Sequence, residues 1–244
     1  MKACAIIPAL DAAESIGKVV KEIKESGIDP IVIDDGSSDP TSKVSRENGA
    51  IVLKNETNSG KGESLRKGFA YALSKGYNHI FTLDADGQHS PKDIPNFLSL
   101  LGAKPQADMI IGNRMDSPSG MPLARKLTNK FMSWALSAIS GQNVPDTQNG
   151  FRLIKSSLLE NIELKSRRFE IESELIVKAA AKNALILSVP ITSIYQNRQS
   201  RINPIADTFR FVKFIISYII FKGKKSRVNS RGRPCACPRA PEIT

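Results

Sequence analysis

Short apolar runs alternate with amphipathic segments through the first half of the chain. The first run, residues 3–7, is followed by a segment in which apolar residues recur at helical spacing from Ile16 to Ile23. Further strands are predicted over residues 31–33, 51–53 and 80–83, and helices over 41–48 and 61–75. Strands that alternate with helices favour right-handed crossovers and parallel pairing. We therefore predict an α/β fold with a mostly parallel central sheet flanked by helices.

The second half of the chain is less regular in its pattern. Strands are predicted over residues 109–111, 151–154 and 185–189, and helices over 122–140 and 171–182. Residues 204–221 are predicted to form a C-terminal amphipathic helix, because Pro204 suits its first turn. Residues 222–244 are rich in Pro and Arg and are predicted to be a disordered basic tail. Residues 1–203 are therefore expected to form the one globular domain.

The net charge of the chain is +11, and the positive surplus is unevenly distributed. Residues 222–244 contain seven basic residues and one acidic residue, so this segment contributes six of the eleven charges. A basic surplus favours anionic partners such as phosphates, nucleic acid or an anionic membrane surface. The three cysteines are too few for a disulfide framework, which favours a reducing compartment and hence the cytoplasm.

The chain has no segment with the length and composition expected of a membrane span. Its most apolar late stretch is interrupted by Arg210 and Lys213, and the uninterrupted part, 214–221, is far shorter than the roughly 20 residues that a bilayer requires. The N-terminal apolar run reaches Pro8 and Asp11 too soon for the core of a signal peptide. We therefore expect a protein that is soluble or peripheral at the cytoplasmic face of the membrane.

The strongest chemical signal is the run Asp84-Ala85-Asp86-Gly87-Gln88-His89, which directly follows a predicted strand. Two carboxylates at i and i+2 on such a loop can converge on one divalent cation, and Mg²⁺ and Mn²⁺ prefer oxygen ligands. The cation would neutralise charge that develops on a departing nucleotide diphosphate. The alternative is an ordinary turn, because Asp and Gly are common turn residues.

A second polar cluster, residues 34–39, follows another predicted strand. Ligands of parallel α/β sheets bind outside the carboxyl ends of the strands, so this cluster and residues 84–89 are expected at one site. The carboxylate of Asp35 is assigned to a ligand, because it can accept hydrogen bonds from a nucleobase or a ribose hydroxyl. The alternative is a turn that leads into a helix capped by Asp39 or Thr41.

The third cluster is Asn58-Ser59-Gly60-Lys61-Gly62, at the start of a predicted helix. Its spacing is not that of a P-loop, which requires Gly-x-x-x-x-Gly-Lys-Ser/Thr. Glycines that open a helix beside Lys61 can nevertheless face a phosphate. The alternative is a glycine-rich turn followed by a solvated helix face.

Taken in order, these clusters resemble family 2 glycosyltransferases, and most nearly the dolichol-phosphate mannosyltransferase-like branch, whose members are also called polyprenyl-phosphate sugar synthases. The likeness spans about residues 2–200 and is carried by segments 6–11, 32–39, 58–62, 84–89, 112–114 and 146–152. It implies a single nucleotide-diphospho-sugar transferase domain of the GT-A type over residues 1–203. It also implies inverting transfer of a hexose from a UDP- or GDP-linked donor.

The resemblance also implies roles for individual residues. Pro8 and Asp35 would line the nucleotide, and Asp84, Asp86 and Gln88 would surround Mg²⁺ or Mn²⁺. The predicted donor-binding residues are Pro8, Asp35, Lys61, Asp84, Arg125 and Arg201, and the predicted catalytic residues are Asp86, Arg114, Asp146, Arg152 and Glu172. Arg114 and Arg152 would lie near phosphates, and Glu172 near the acceptor.

Two positions depart from the family pattern. The family usually has an aromatic-Asn-Glu run after the first strand's proline, where this chain has Leu10-Asp11-Ala12. Members of this branch commonly have Ser or Cys before the Gly-Phe-Arg/Lys run, where this chain has Asn149. The first departure concerns contacts with the nucleotide base, and the second concerns the class of acceptor.

The acceptor is predicted from the charge that each class would require. A polyprenyl phosphate is anionic at neutral pH and needs cationic groups, for which Arg114, Arg125, Arg152, Arg198 and Arg201 are candidates. A saccharide hydroxyl, as in cell-surface polysaccharide synthesis, needs a general base, for which Asp146 and Glu172 are candidates. The segment 122–140 mixes basic residues with Phe131 and Trp134, and 204–221 precedes a basic tail; both suit a membrane interface. We therefore predict a polyprenyl phosphate acceptor and a peripheral protein, with the saccharide as the alternative.

Three alternatives from other classes are open. A nucleic-acid-binding module is not expected, because the body of the chain lacks interleaved basic and aromatic stacking positions. A nucleotidyltransferase would share the sheet and the metal, but its glycine-rich basic loop after the first strand is missing. A catalytically inactive nucleotide-sugar-binding or scaffold protein is disfavoured by the intact Asp84 and Asp86.

Overall fold

A seven-stranded mixed sheet organises the computed structural model, which describes residues 1–115, 121–192, 211–213 and 215–216. The strands are β1 (Ala3–Ala9), β2 (Asp29–Asp34), β3 (Ile51–Lys54), β4 (His79–Thr82), β5 (Met109–Asn113), β6 (Arg152–Lys155) and β7 (Ile186–Pro190). The helices are α1 (Ala13–Glu25), α2 (Thr41–Glu47), α3 (Lys61–Ser74), α4 (Ile94–Ala103), α5 (Leu123–Ser140), α6 (Ser156–Glu160) and α7 (Glu170–Ala181).

The strand order is β3-β2-β1-β4-β6-β5-β7, and the pairing is parallel except on the two sides of β6. The predicted mostly parallel sheet is therefore confirmed. Because β6 runs antiparallel to β4, its first residue, Arg152, pairs with Thr82, the last residue of β4. The segment that enters β6 therefore meets the segment that leaves β4. This reversal brings residues 146–151 to the same edge of the sheet as Asp84.

Apolar side chains cover both faces of the sheet. On β1, Cys4 and Ile6 belong to one buried cluster with residues of α3 and α7, whereas Ala5 and Ile7 belong to a second cluster with residues of α1 and α4. Side chains alternate between the faces of a strand, so a strand covered on both faces is apolar throughout. This explains why β1 and β2 appear in the sequence as continuous apolar runs.

Two helical regions, 91–103 and 156–160, were not predicted from the sequence pattern. A 3-10 turn at Pro91–Asp93 leads into α4, and α6 follows β6 without an intervening loop. Pro91 and Pro95 give the start of the first segment the composition of a turn, although proline is tolerated in the first turn of a helix. Helix α6 has only five residues, too few to establish a helical period.

The predicted C-terminal helix is described only in part. Residues 211–213 and 215–216 are helical, and Phe211 packs into the buried cluster that contains Leu136. The rest of 204–221, the predicted tail 222–244, Arg198 and Arg201 lie outside the described residues. Among the helices that are described, none combines the length and apolar character needed to cross a bilayer.

Candidate functional site

Three segments meet at the carboxyl edge of the sheet: residues 34–41 after β2, 84–89 after β4, and 146–151 before β6. Asp35 N–H donates to Ala9 O at 2.8 Å, which ties the first segment to the end of β1. Gly150 packs directly against the carboxylate of Asp84. Because β2 and β4 both pair in parallel with β1, the two Asp-containing clusters lie at the same edge of the sheet.

The turn 84–88 presents two carboxylates. Asp86 is exposed, and Asp84 is partly exposed. The N–H of Gln88 donates to Oδ1 of Asp86 at 2.9 Å, and Ser15 Oγ donates to Ala85 O at 2.7 Å. The turn is thus anchored to α1 while its carboxylates remain accessible.

Gly150 sets the space beside Asp84. A Cβ built at residue 150 would lie 2.7 Å from Oδ2 of Asp84, closer than carbon and oxygen tolerate. The backbone here is held by Thr82, whose Oγ1 donates to Gly150 O at 2.7 Å. Neighbouring Asn149 is fully buried; its Nδ2 donates to Gly112 O at 2.6 Å, and its Oδ1 accepts the N–H of Phe151 at 2.9 Å. In this chain Asn149 therefore fixes the loop that carries Gly150.

Lys61, the first residue of α3, joins two carboxylates. Its Nζ lies 2.5 Å from Oδ1 of Asp84 and 2.6 Å from Oε1 of Glu172, in the first turn of α7. Burial opposes the charge of Lys61, but the two carboxylates outweigh it and raise the pKa of the ammonium. Burial likewise works to raise the pKa of Asp84, but Lys61 outweighs it and, with His89 and Arg114, lowers that pKa to about 2. Lys61 and Asp84 are therefore charged near neutral pH.

The glycines around Lys61 serve a close backbone contact. A Cβ at Gly60 would lie 2.5 Å from Arg167 O, and one at Gly62 would lie 2.4 Å from Ser166 O. The N–H of Gly62 donates to Arg167 O at 2.8 Å. The glycine-rich turn thus packs against the loop before α7, so this N–H already has a protein partner instead of a phosphate.

Asp35 organises the loop that precedes α3. Its carboxylate accepts the N–H of Ser59 at 3.0 Å, the N–H of Gly60 at 2.8 Å and Asn55 Nδ2 at 2.8 Å. These bonds fix the start of α3 and hence the position of Lys61. The assignment of Asp35 to the nucleotide stays a prediction, and Pro8 lines a small cleft together with Lys61 and Asp84.

Asp39 and Thr41 have a structural role, as in the alternative interpretation, but their side chains cap the start of α1 and not only the helix that follows them. Asp39 Oδ2 accepts the N–H of Ala13 at 3.0 Å, and Thr41 Oγ1 accepts the N–H of Ala12 at 2.8 Å. These are the first N–H groups of α1, which the helix itself leaves unpaired. Asp39 Oδ1 also accepts the N–H of Thr41, the first residue of α2, at 3.0 Å.

Arg114 and Asp146 form a buried bidentate ion pair. Nε and Nη2 of Arg114 donate to the two carboxylate oxygens at 2.7 and 2.9 Å, and the N–H of Arg114 donates at 3.0 Å. Asn129 Nδ2 adds a fourth bond at 2.8 Å. Burial works to raise the pKa of Asp146, but these hydrogen bonds and the charge of Arg114 lower it. A carboxylate so occupied is a poor general base, which argues against the role predicted for Asp146 with a hydroxyl acceptor.

Arg152 was predicted to lie near a phosphate, but its side chain is buried among backbone carbonyls of the protein. It is 1% exposed, and its guanidinium donates to three backbone carbonyls: Asn149 O at 2.9 Å, Glu172 O at 2.8 Å and Thr147 O at 2.9 Å. Because Arg152 begins β6, its side chain is enclosed between the 147–149 loop and the first turn of α7. It therefore holds Glu172 in position and presents no donor on the accessible surface.

His89 is the last residue of the run 84–89, and its sequence context alone predicted no role for it. Its ring is buried against Phe151, with centroids 5.9 Å apart, and its Nδ1 lies 3.9 Å from Oδ2 of Asp84. Within the described part of the chain this nitrogen has no hydrogen-bond partner. Burial lowers the pKa of His89 to about 4, so the imidazole is neutral near pH 7. The only feature of the sequence that pointed to a place for His89 in the site is its position next to Gln88.

Arg125, in the first turn of α5, lies near the acidic turn. Although Asp86 is exposed, partial desolvation by the surrounding protein and the negative charge of Asp84 raise its pKa, and the positive charge of Arg125 is one of the groups that oppose this shift.

The oxygen donors of the turn suit a hard divalent cation. No cluster of three His, Cys, Asp or Glu side chains in the described ranges could by itself hold a metal. Asp84 and Asp86, with the amide oxygen of Gln88, instead form a partial set. Mg²⁺ usually binds through one or two carboxylates plus substrate phosphates, and the turn supplies two accessible carboxylates at i and i+2. The donor set therefore fits a metal that is completed by a phosphate ligand.

Comparison with known proteins agrees with this geometry. Residues 4–163 match the family described as glycosyl transferase family 2. The chain is 32% identical over 213 residues to UDP-N-acetylglucosamine–dolichyl-phosphate N-acetylglucosaminyltransferase of Methanococcus voltae, a match that covers 78% of this chain and 84% of the relative. It is 30% identical over 210 residues to undecaprenyl-phosphate mannosyltransferase of Micrococcus luteus, covering 80% and 84%.

The fold is shared with a solved structure. Glucosyl-3-phosphoglycerate synthase of Mycobacterium tuberculosis, in complex with uridine diphosphate, superposes with a TM-score of 0.72 at 19% identity, covering 88% of this chain and 79% of that one. At that identity the likeness concerns the fold alone. The GT-A type fold predicted from the sequence is confirmed. The chain belongs to glycosyl transferase family 2, in its dolichol-phosphate mannosyltransferase-like branch.

Proposed function

We propose that this glycosyltransferase moves a sugar from a UDP- or GDP-linked donor to a polyprenyl phosphate, with Mg²⁺ or Mn²⁺ at Asp84, Asp86 and Gln88. The observation that carries the proposal is the turn 84–88 at the carboxyl edge of the sheet, which Ser15 anchors and which leaves the carboxylates of Asp84 and Asp86 accessible. A divalent cation bound there would stabilise negative charge on the departing nucleotide diphosphate.

The donor side of the site is proposed from four residues that the fold brings together. Pro8, Lys61 and Asp84 line one cleft, and Asp35 fixes the loop that positions Lys61. A nucleoside diphosphate combines a base, which Asp35 and Pro8 would contact, with phosphates, which Lys61 would contact. Arg125 and Arg201 are proposed as further phosphate contacts. The name of the Methanococcus voltae relative, which specifies a UDP-linked sugar, supports this class of donor.

The state of the predicted bases supports a phosphate acceptor over a saccharide hydroxyl. Asp146 is held by Arg114, and Glu172 is paired with Lys61, so neither carboxylate is poised to take a proton. A phosphate monoester is already anionic near pH 7 and can attack without a base. The names of the relatives, which specify dolichyl and undecaprenyl phosphates, support the same class.

One face of α5 supports a peripheral location at the membrane. Leu123, Leu127, Phe131 and Trp134 lie along that face and are 71, 59, 48 and 68% exposed. Large apolar residues exposed in a row mark an interaction surface, and the neighbouring Lys126 and Lys130 suit anionic headgroups. Because the charge of Arg125, in the first turn of α5, acts on Asp86, we infer that a membrane on this face would bring a lipid phosphate towards the turn.

The proposal is tested with purified protein, radiolabelled UDP- and GDP-sugars, Mn²⁺ or Mg²⁺, and a polyprenyl phosphate. Metal-dependent label that extracts into butanol and disappears in Asp86→Ala is the expected result. Release of nucleotide without lipid-bound label would replace the lipid acceptor with a saccharide. Absence of release from every donor by folded protein would refute catalysis and favour a binding or scaffold role.

A further inference from the structure

We propose that Lys61 is an internal counter-ion that competes with the divalent cation for Asp84, and that it passes to the donor diphosphate when metal and nucleotide bind together. The inference rests on the proposed metal site and adds a coupling between its two ligands. Lys61 was predicted only as a donor contact, whereas the structure places its ammonium on the carboxylate assigned to the metal.

The ammonium occupies a tightly defined position. The side chain of Lys61 is 15% exposed, that of Asp84 29% and that of Glu172 8%. Water therefore screens the attraction between the ammonium and the two carboxylates only weakly. Phe169 covers one side, with its ring centroid 5.6 Å from Nζ. Without Lys61, the carboxylates of Asp84 and Glu172 would repel each other across a poorly hydrated space. Lys61 therefore stands in for a cation when no metal is present.

A metal ion at Asp84 cannot leave this pairing unchanged. An ammonium in contact with Oδ1 and a divalent cation bound to the same carboxylate would lie within a few ångströms, where like charges repel strongly. The backbone of Lys61 is fixed at the start of α3, but its four-carbon stem allows the ammonium to move. Glu172, held through its carbonyl by Arg152, can retain the displaced ammonium inside the site.

The displacement makes metal and nucleotide binding cooperative. A metal that binds alone must break the Lys61–Asp84 contact, and the released ammonium gains no new partner. A metal that arrives with a nucleoside diphosphate brings two phosphates, which offer the ammonium a replacement. The same residue should therefore weaken binding of the metal alone and strengthen binding of the nucleotide with metal.

The test measures Mn²⁺ binding by electron paramagnetic resonance and UDP or GDP binding by calorimetry. Lys61→Met is expected to bind Mn²⁺ alone about tenfold more tightly than wild type, and to bind the nucleotide at saturating Mn²⁺ about tenfold more weakly. A residue that only supports the fold would not shift the two affinities in opposite directions. Lys61→Gln repeats the measurement with a polar side chain, in case the methionine variant does not fold.

Two controls separate the charge of Lys61 from a general loss of charge. Lys75→Met removes an exposed lysine at the other end of the 14-residue α3, about 20 Å away, and should change neither affinity. Lys61→Arg keeps a cation between the carboxylates and should not tighten Mn²⁺ binding. Equal Mn²⁺ affinity in wild type and in folded Lys61→Met would overturn the competition but leave the metal site intact. Absence of Mn²⁺ binding from both proteins, with and without nucleotide, would overturn the metal site itself.

Discussion

Gly150 approaches Asp84 so closely that a Cβ at residue 150 would lie 2.7 Å from Oδ2 and 3.0 Å from Oδ1 of the carboxylate. The contact joins the segment before β6 to the segment after β4. It exists because these strands are antiparallel neighbours, with Arg152 opposite Thr82. The geometry of the turn 84–88 therefore depends on a residue more than sixty positions away in the sequence.

Gly150→Ala should displace Asp84 and weaken metal-dependent transfer at least tenfold. The backbone at residue 150 does not require a positive φ, so the effect should come from the added methyl group rather than from backbone strain. Overpacking of this kind typically costs about 1–3 kcal/mol of stability. The measurements are kcat/KM, Mn²⁺ affinity and the free energy of unfolding.

The matched control is Gly102→Ala in α4, where a Cβ would meet no atom within 4 Å. Alanine at a compatible helical position stabilises a protein by about 0.4–1 kcal/mol, so this variant should keep its activity and gain stability. If Gly150→Ala retained wild-type Mn²⁺ affinity, Asp84 would not need its observed position to hold the metal.

Asp146→Asn distinguishes a structural ion pair from a general base. The substitution removes the negative charge that accepts the hydrogen bonds of Arg114 and should cost about 3–5 kcal/mol in the free energy of unfolding, as breaking a buried pair usually does. A general base would instead show a large loss of kcat with unchanged stability. Urea unfolding and steady-state kinetics on the same preparation separate the two outcomes.

The sequence predicted the strands and most helices because their burial is simple. Strand β1 is covered on both faces and α1 on one, so each shows the period of its own geometry. The antiparallel insertion of β6 could not be predicted, because its four residues carry no sign of their direction. This one feature decides which segment lies beside Asp84.

In the candidate site, too, the residues in local motifs could be predicted from the sequence, whereas their long-range partners could not. Asp84, Asp86 and Asp35 could be predicted from local motifs at strand ends, because parallel strands bring those ends to one edge of the sheet. Lys61 and Arg152 both bind Glu172 in α7. Glu172 lies 111 residues beyond Lys61 in the sequence, so no local motif could predict this contact. A cation in a motif shows that an anion is near, but not whether the anion is a substrate phosphate or a carboxylate of the protein.

Acid should weaken the loop that supports Lys61 through Glu174. This buried carboxylate accepts the N–H of Ser166 at 2.8 Å, the N–H of Lys165 at 3.0 Å and Lys178 Nζ at 2.6 Å. Burial works to raise its pKa, but these partners lower it below the ordinary value of 4.5. A depressed pKa contributes stability that is present above pH 4.5 and is lost as the pH falls through the lower value of the folded protein.

Glu174→Gln should therefore be less stable than wild type by about 1–3 kcal/mol at pH 7, and the difference should shrink as the pH falls below 4.5. Free energies of unfolding measured by urea at pH 3, 5 and 7 would show this convergence. A difference that stayed constant across this range would mean that the charge of Glu174 makes no contribution to stability.

The exposed apolar face of α5 is expected to attach the protein to lipid. Leu127→Ser combined with Trp134→Ser removes two side chains that are 59 and 68% exposed. Because these side chains contribute little to the protein core, stability should change little, whereas sedimentation with vesicles that contain anionic lipid should fall at least tenfold. Transfer to a short, water-soluble prenyl phosphate should persist, since the turn 84–88 is untouched.

The charged edge of the same face is tested separately. Lys126→Gln combined with Lys130→Gln should weaken vesicle binding by about 1 kcal/mol per lysine at low salt and by much less at high salt, because salt screens attraction to anionic headgroups. Lys43→Gln on α2, whose side chain is 76% exposed, removes a lysine from another helix and serves as the control. Equal vesicle binding by wild type and both double variants would exclude α5 as the membrane surface, whereas loss confined to the α5 variants would place the lipid on this helix.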